Sequence, residues 1–271
     1  MIWIKEELDK DQCRRAPRQV GNGYDLEALM LKITGETPIA NRLLLSLPPA
    51  TLNRLMPALQ PIGIAQGEII DHVDRTVSHL YFINRGFISL VKTMNDGRTV
   101  EIGAVGIEGV TDVNSLFGVV DSALLEAMVQ LPGTALRVDR EVLRREMARD
   151  AALRDLMQRY AHVFVNQIIQ TAACNRLHSL EERCCRWLLT AHDNALADTF
   201  PLTHEFLAMM LGVQRAGVSI AAKLLQRAGL IEYRRGAVTV TDRAGLEAAA
   251  CECYDATRID LRKLVGGRKR R

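Results

Sequence analysis

Nine glycines fall between Gly63 and Gly133, and none at all between Gly133 and Gly212. Glycine eases the tight turns between short strands and weakens helix interiors, so a chain punctuated in this way must change backbone regime near residue 134. The glycine-rich stretch carries short alternating apolar runs at 79–83, 87–91 and 127–130. Short strands between tight turns predict an all-β barrel or sandwich. Asn95-Asp96-Gly97 predicts a hairpin turn, because Asp-Gly tolerates the positive φ that such turns require. The glycine-free stretch predicts mostly helix. Six of the eight prolines lie between Pro17 and Pro61, which predicts an irregular N-terminal lead with short helical runs at 41–47 and 50–59.

A length of 271 residues fits two domains of ordinary size. Apolar residues at 48%, charged residues at 25% and a mean hydropathy of zero describe a soluble globular chain. No uncharged apolar run approaches the roughly 20 residues of a bilayer crossing, and residues 1–11 lack a signal peptide's apolar segment, so a cytoplasmic protein without membrane contact is expected. The six cysteines are Cys13, Cys174, Cys184, Cys185, Cys251 and Cys253, with no C-x-x-C among them. A zinc or cluster site needs four ligands, and Cys184-Cys185 or Cys251-x-Cys253 supplies two at most. Buried or idle free thiols, with no metal and no cofactor, are the expectation. Charge is uneven: residues 201–271 hold 13 lysines and arginines against 7 acids, and residues 1–200 hold 22 against 25. The basic excess sits in the C-terminal quarter, where a polyanion would be met.

Within the helical stretch, Leu153, Met157, Tyr160, Phe164, Ile168 and Thr171 recur at steps of three and four, with Arg149, Arg154 and Arg159 outside the stripe. Such a stripe can pack on its own domain. It also suits the seam of a two-fold dimer, and Leu153, Met157, Tyr160, Phe164 and Ile168 are expected to form that seam.

Further on, Thr203 is placed to N-cap a helix. Leu207, Ala208, Leu211, Gly212, Val213, Val218 and Ala221 then follow the spacing of a helix-turn-helix: small Ala208 where the second helix crosses, Gly212 in the turn, the larger residues in the wedge between helices. The second helix is expected over 214–228, ending at Gly229. Residues 230–233, a turn at Arg234-Arg235-Gly236 and residues 237–240 read as a β-hairpin wing. Arg215, Lys223, Arg227, Arg234 and Arg235 face the single acid Glu232 over residues 211–235. A cationic helix beside a cationic wing suits duplex DNA, where phosphates need neutralising charge and bases are read from the helix's first turns.

The segment 202–208, then Gly212-Val213-Gln214-Arg215 and the run 224–231, resembles the winged helix of the Crp/Fnr family of bacterial transcription regulators. Residues 80–86 followed by Asp96-Gly97-Arg98 resemble that family's cyclic-nucleotide-binding-type barrel, and the long helix takes the family's dimerisation position; the likeness covers about 43–242. The resemblance implies an α+β chain: a double-stranded β-helix or jelly-roll barrel, a long dimerisation helix, and a C-terminal winged helix-turn-helix. The implied units are an N-terminal extension at 1–40, the barrel at 41–140, the dimerisation helix at 141–175 and the DNA-binding domain with a C-terminal helix and basic tail at 176–271. It implies that Arg215 contacts a guanine and Thr203 a phosphate. By their charge Lys223, Arg234 and Arg235 are expected to complete the DNA surface, and Gln214 and Ser219, facing out early in the helix, either donate to bases or phosphates or face solvent. Ala216 and Ile220 stand where the best-known members carry a glutamate and a second arginine, so a different operator is expected.

Members that bind cyclic AMP hold its phosphate with an arginine in a cassette that corresponds to residues 106–112 and 121–124. Between Arg98 and Arg137 there is no lysine or arginine, whereas Glu101, Glu108, Asp112, Asp121 and Glu126 are acidic. Cyclic AMP is therefore not expected to bind by that route. The oxygen-sensing branch's N-terminal cysteine cluster is absent, since only Cys13 lies there, and the six histidines are scattered. No P-loop, Gly-x-Gly-x-x-Gly, His-Glu-x-x-His or Gly-x-Ser-x-Gly motif supports an enzyme. The expected partners are operator DNA, a second copy of the chain and RNA polymerase. The alternative is a regulator whose barrel takes a cyclic nucleotide or another small ligand at a non-standard site.

Overall fold

A computed structural model describes residues 39–117, 122–195 and 197–266. Most of the N-terminal lead with Cys13, Asp121 of the cassette and the basic tail lie outside the described residues. Two short helices, α1 (Arg42–Leu45) and α2 (Pro49–Leu55), lead into strands β1 (Gln60–Ile64), β2 (Ile69–Asp71), β3 (His79–Thr93), β4 (Thr99–Val105) and β5 (Glu126–Asp139). Helices α3 (Arg140–Arg149), α4 (Ala151–Leu177) and α5 (Leu180–Ala195) follow. Then come β6 (Thr199–Pro201), α6 (His204–Leu211), α7 (Arg215–Arg227), β7 (Ile231–Arg234), β8 (Ala237–Val240), α8 (Arg243–Ala249) and α9 (Cys253–Val265).

In the antiparallel barrel sheet, β5 pairs with β1, β2 and β3, and β3 pairs with β4. The expected hairpin turn joins β3 to β4 through Gly97 at φ +81°. Strand β3 reads as a nearly continuous apolar run because both of its faces are covered. Ile88 and Leu90 point into the barrel core, while Phe87 and Val91 join the core of the C-terminal domain. Strand β5 runs past Gly133 to Asp139, so the helical region starts later than the glycine gap suggested. It is also interrupted. Asp150 takes an extended conformation and caps α4 by accepting from the amides of Ala152 (2.8 Å) and Leu153 (3.1 Å), so the single helix expected over 141–175 is two.

The seam expected of Leu153, Met157, Tyr160, Phe164 and Ile168 is corrected by the fold. Leu153, Met157, Tyr160 and Phe164 are buried in the barrel's own core, and Ile168 is partly buried against it. Tyr160 donates to the carbonyl of Val110 at 3.0 Å, and its ring stacks with that of Phe164 at 6.4 Å. The approach is close because the barrel presents glycine there: a Cβ on Gly103 would lie 3.0 Å from the Phe164 ring, and one on Gly109 would lie 2.5 Å from the Tyr160 hydroxyl. Leu153, Met157 and Phe164 each gain about 1.5–3 kcal/mol by burial. The face of α4 left open is a different one, turned away from the barrel, with Val165 (46% exposed), Ile169 (61%), Ala172, Ala173 and Leu177 (76%).

The C-terminal domain docks on the barrel. Trp187 of α5 meets Phe87 edge to face at 6.0 Å and donates from Nε1 to the carboxylate of Glu101 at 3.2 Å; Ser89 also donates to Glu101. Burial raises the Glu101 pKa, partly opposed by these hydrogen bonds and the nearby Arg186 charge.

Candidate nucleic-acid interface

Three short strands, ordered β6-β8-β7, carry a two-helix unit whose geometry follows from a few residues. Thr203 caps α6, its hydroxyl accepting from the amide of Phe206 at 3.1 Å. Gly212 ends α6 in the left-handed region at φ +63°, where a side chain would be strained, and the next helix leaves at 110°. Val218, Ala221, Ala222 and Leu225 of α7 are buried against the domain. Arg215, Ala216, Ile220, Lys223, Leu224 and Arg227 are exposed on its outward side, and Gln214 is exposed at its N-cap. Among the described residues, Arg215, Lys223 and Arg227 are in no ion pair, so their charge is available to an external anion.

The wing turns through Arg235 (φ +48°) and Gly236 (φ +81°), a two-residue hairpin loop with both central residues at positive φ. Arg234 and Arg235 are exposed at its tip, Arg234 beside Glu232. Tyr233 ties the wing to both helices: its amide donates to Gln226 Oε1 at 3.1 Å, its hydroxyl to the carbonyl of Leu202, and its ring lies 4.3 Å from that of His204. Ser219 belongs to this packing and not to the open face. It is half-buried, with its hydroxyl 3.0 Å from His204 Nδ1, which corrects its place among the outward DNA contacts. Burial, then the charges of Arg215 and Lys223, lowers the His204 pKa, so the ring is neutral at pH 7 and can accept from Ser219.

Residues 182–249 match the Crp-like helix-turn-helix domain. The chain carries a Crp-like helix-turn-helix head. The fold recurs in solved structures of the Crp/Fnr family. A regulator of that family from Eubacterium rectale aligns with a TM-score of 0.61 at 17% identity, covering 76% of this chain and 96% of that one. FixK2 from Bradyrhizobium japonicum gives a TM-score of 0.61 at 17% identity, over 71% and 98%. The c-di-GMP responsive global regulator CLP from Xanthomonas campestris gives 0.58 at 17%, over 71% and 99%. No curated protein sequence matches. The head and these folds bear out the Crp/Fnr resemblance. Among the described residues no single helix is long and apolar enough to cross a membrane.

The barrel's cassette region is acidic in space as well as in sequence. Glu108 pairs with Arg42 of α1 at 2.8 Å. Burial, then the Asp112 charge, pushes Asp71 up to about 7; burial, opposed by Arg140, pushes Asp112 up to about 6. Asp71 Oδ2 and Asp112 Oδ2 are buried without hydrogen-bond partners among the described residues. Both carboxyls keep their protons to higher pH in the folded chain than in the unfolded one. Their contribution to stability is therefore complete below about pH 4 and is lost as pH rises toward 7. Asp71→Asn is expected to be more stable than the parent by about 1–2 kcal/mol near pH 8 and to lose that advantage near pH 5. Thermal melts of both proteins across that range check it; a gap that does not widen with pH would sink the assignment.

Sequence reasoning placed Cys184 and Cys185 rightly as buried thiols, with burial pushing them up to about 12 and about 11. It missed that Cys174, Cys251 and Cys253 meet His178 in one place. The available signal was Cys174-x-x-x-His178, one helical turn apart, set beside Cys251-x-Cys253.

Proposed function

We propose that the protein is a homodimeric, sequence-specific transcription regulator that reads duplex DNA with α7 and the β7–β8 wing and needs no cyclic AMP to do so. The observation that carries this reading is the outward row of Arg215, Lys223 and Arg227 on a helix set at 110° to α6, next to a wing tipped by Arg234 and Arg235. One head reads only a few base pairs, so useful specificity calls for two on half-sites about one helical turn apart. The open apolar face of Val165, Ile169, Ala172, Ala173 and Leu177 is suited to hold the pair together. In this reading the barrel spans 41–140, the helical region 141–175 and the head 176–271; the protein works in the cytoplasm, and RNA polymerase is its partner on DNA. Selection of bound fragments from genomic DNA, followed by anisotropy titration at rising salt, tests it. A steep fall of affinity with salt and one enriched, two-fold symmetric sequence are expected.

The acidic cassette leads to a second expectation. An anionic phosphate placed beside Glu108, Asp71 and Asp112 would meet carboxylates, with Arg42 already paired to Glu108. Calorimetric titration of the full chain with cyclic AMP is expected to show no binding in the micromolar range, and operator affinity is expected to be unchanged by the nucleotide. Micromolar affinity would overturn this part of the reading.

One observation favours the alternative of a different small ligand. A cavity of about 470 Å³ lies where the 106–109 turn, α4, α5 and α9 meet, lined among others by Tyr160, Gln167, Asn194 and Arg258. A molecule bound there would touch barrel, long helix and head at once.

A further inference from the structure

Three thiols and one imidazole converge where the end of α4 meets the start of α9. Cys174 and His178 stand one turn apart at the C-terminus of α4; Cys251 precedes α9 and Cys253 begins it. One ligand atom from each residue lies within 4.8 Å of all the others. Cys174 Sγ is 3.6 Å from Cys251 Sγ, and Cys253 Sγ is 3.5 Å from His178 Nδ1. Zinc bonds of about 2.3 Å to sulfur and about 2.0–2.1 Å to nitrogen, set at tetrahedral angles, separate sulfur from sulfur by about 3.8 Å and sulfur from nitrogen by about 3.5 Å. These two spacings match those of ligands around a single ion, and all four ligand atoms lie within 4.8 Å of one another. A disulfide between Cys174 and Cys251 would account for two of the four groups and leave the convergence of the other two unexplained.

We propose that Cys174, His178, Cys251 and Cys253 bind one zinc ion in a closed, structural Cys3His site.

The surroundings suit that ion. Cys174, Cys251 and Cys253 are buried, and His178 is mostly so. His178 turns Nδ1 toward the sulfurs and Nε2 toward Glu252, whose carboxylate lies 3.1 Å away. A carboxylate on the far nitrogen fixes the tautomer that leaves the near nitrogen free to ligate. Gln170 Nε2 donates to Cys253 Sγ at 3.0 Å, a hydrogen bond that strengthens when the sulfur is a thiolate. Three thiolates, one neutral imidazole and Zn²⁺ carry one net negative charge. Arg183 and Arg186 supply the compensating field: Arg186 acts on Cys174, and Arg183 interacts with Cys174 and Cys251. The Nε atoms of both arginines are buried without a hydrogen-bond partner among the described residues. Four protein ligands leave no open position, so the ion would clamp and not catalyse. What it clamps is the end of the long helix to the last helix of the head.

The test uses the full chain, purified under reducing conditions without added metal, with zinc and iron measured by mass spectrometry. About one zinc per chain is expected, retained in Cys184→Ser and in His178→Cys, which keeps a four-ligand set, and lost at least tenfold in the double variant Cys251→Ser/Cys253→Ser. Glu252→Gln is expected to bind zinc about 10–100-fold more weakly in competition with a chelator. Cobalt(II) added to the metal-free parent chain is expected to give thiolate charge-transfer absorption and the intense visible bands of tetrahedral cobalt, a readout independent of how the variants fold. The proposal is overturned by a parent chain with no more zinc than the double variant, by iron with matching acid-labile sulfide, by a Cys174–Cys251 disulfide in the reduced preparation, or by cobalt spectra without the thiolate band.

Discussion

Replacing Arg215 by alanine is expected to weaken operator binding by about 1–3 kcal/mol and to relax the preference at one base position. The residue opens α7 on its exposed side, where a helix lying in the major groove brings its first turn nearest the bases. Among the described residues its guanidinium is in no ion pair, so none of them competes for the fork that a guanine would take. Arg234→Ala and Arg235→Ala should behave differently. Wing charges meet phosphates, so their loss should weaken all sequences alike and lower the salt slope by about one each. Competition titrations with single-base operator variants separate the two patterns. An Arg215→Ala protein with undiminished discrimination would take α7 out of the groove.

Ile169→Glu is expected to convert a dimer into monomers and abolish operator binding while the head stays folded. Ile169 lies at the centre of the open α4 face, 61% exposed in the single chain, and a two-fold seam there would bury its replacement charge twice. Phe164→Glu tests the opposite face and should fail in another way. It would place a charge in the barrel core against Gly103 and Tyr160, at a cost on the order of 3–5 kcal/mol to the fold itself. Sedimentation together with thermal melts distinguishes the two outcomes. An Ile169→Glu protein that still sediments as a dimer would move the seam elsewhere.

The helix-turn-helix was legible in the sequence because its information is local: Thr203, Ala208, Gly212 and Gly229 each do a job set by the backbone within a few residues. The α4 stripe was legible as a stripe but not as an interface. Steps of three and four show that a face is apolar; they do not show what covers it. Here the barrel covers Leu153 through Phe164, and the less apolar row of Val165, Ile169 and Ala172 is left outside. The Cys and His cluster was hidden for a different reason. Cys174 and Cys251 are 77 residues apart, and only the packing of α9 on α4 brings their halves together. Ser219 sits on the half-outward side of α7 by periodicity, yet a hydrogen bond to a residue 15 positions earlier draws it inward.

The glycine contacts at Gly103 and Gly109 make the long helix a lever. Phe164 and Tyr160 press on bare backbone there, so sliding the helix along the barrel would lose both contacts, whereas a tilt about them would keep both. From Phe164 to Leu177 is about 20 Å of helix, so a tilt of about 10° at the pivot carries the far end through about 3.4 Å, one base-pair step of duplex DNA. A molecule that wedges into the cavity beside Tyr160 and Phe164 would therefore act at the fulcrum. If two chains pair through the open α4 face as proposed, a tilt of this size would change the spacing their heads span by about one base-pair step.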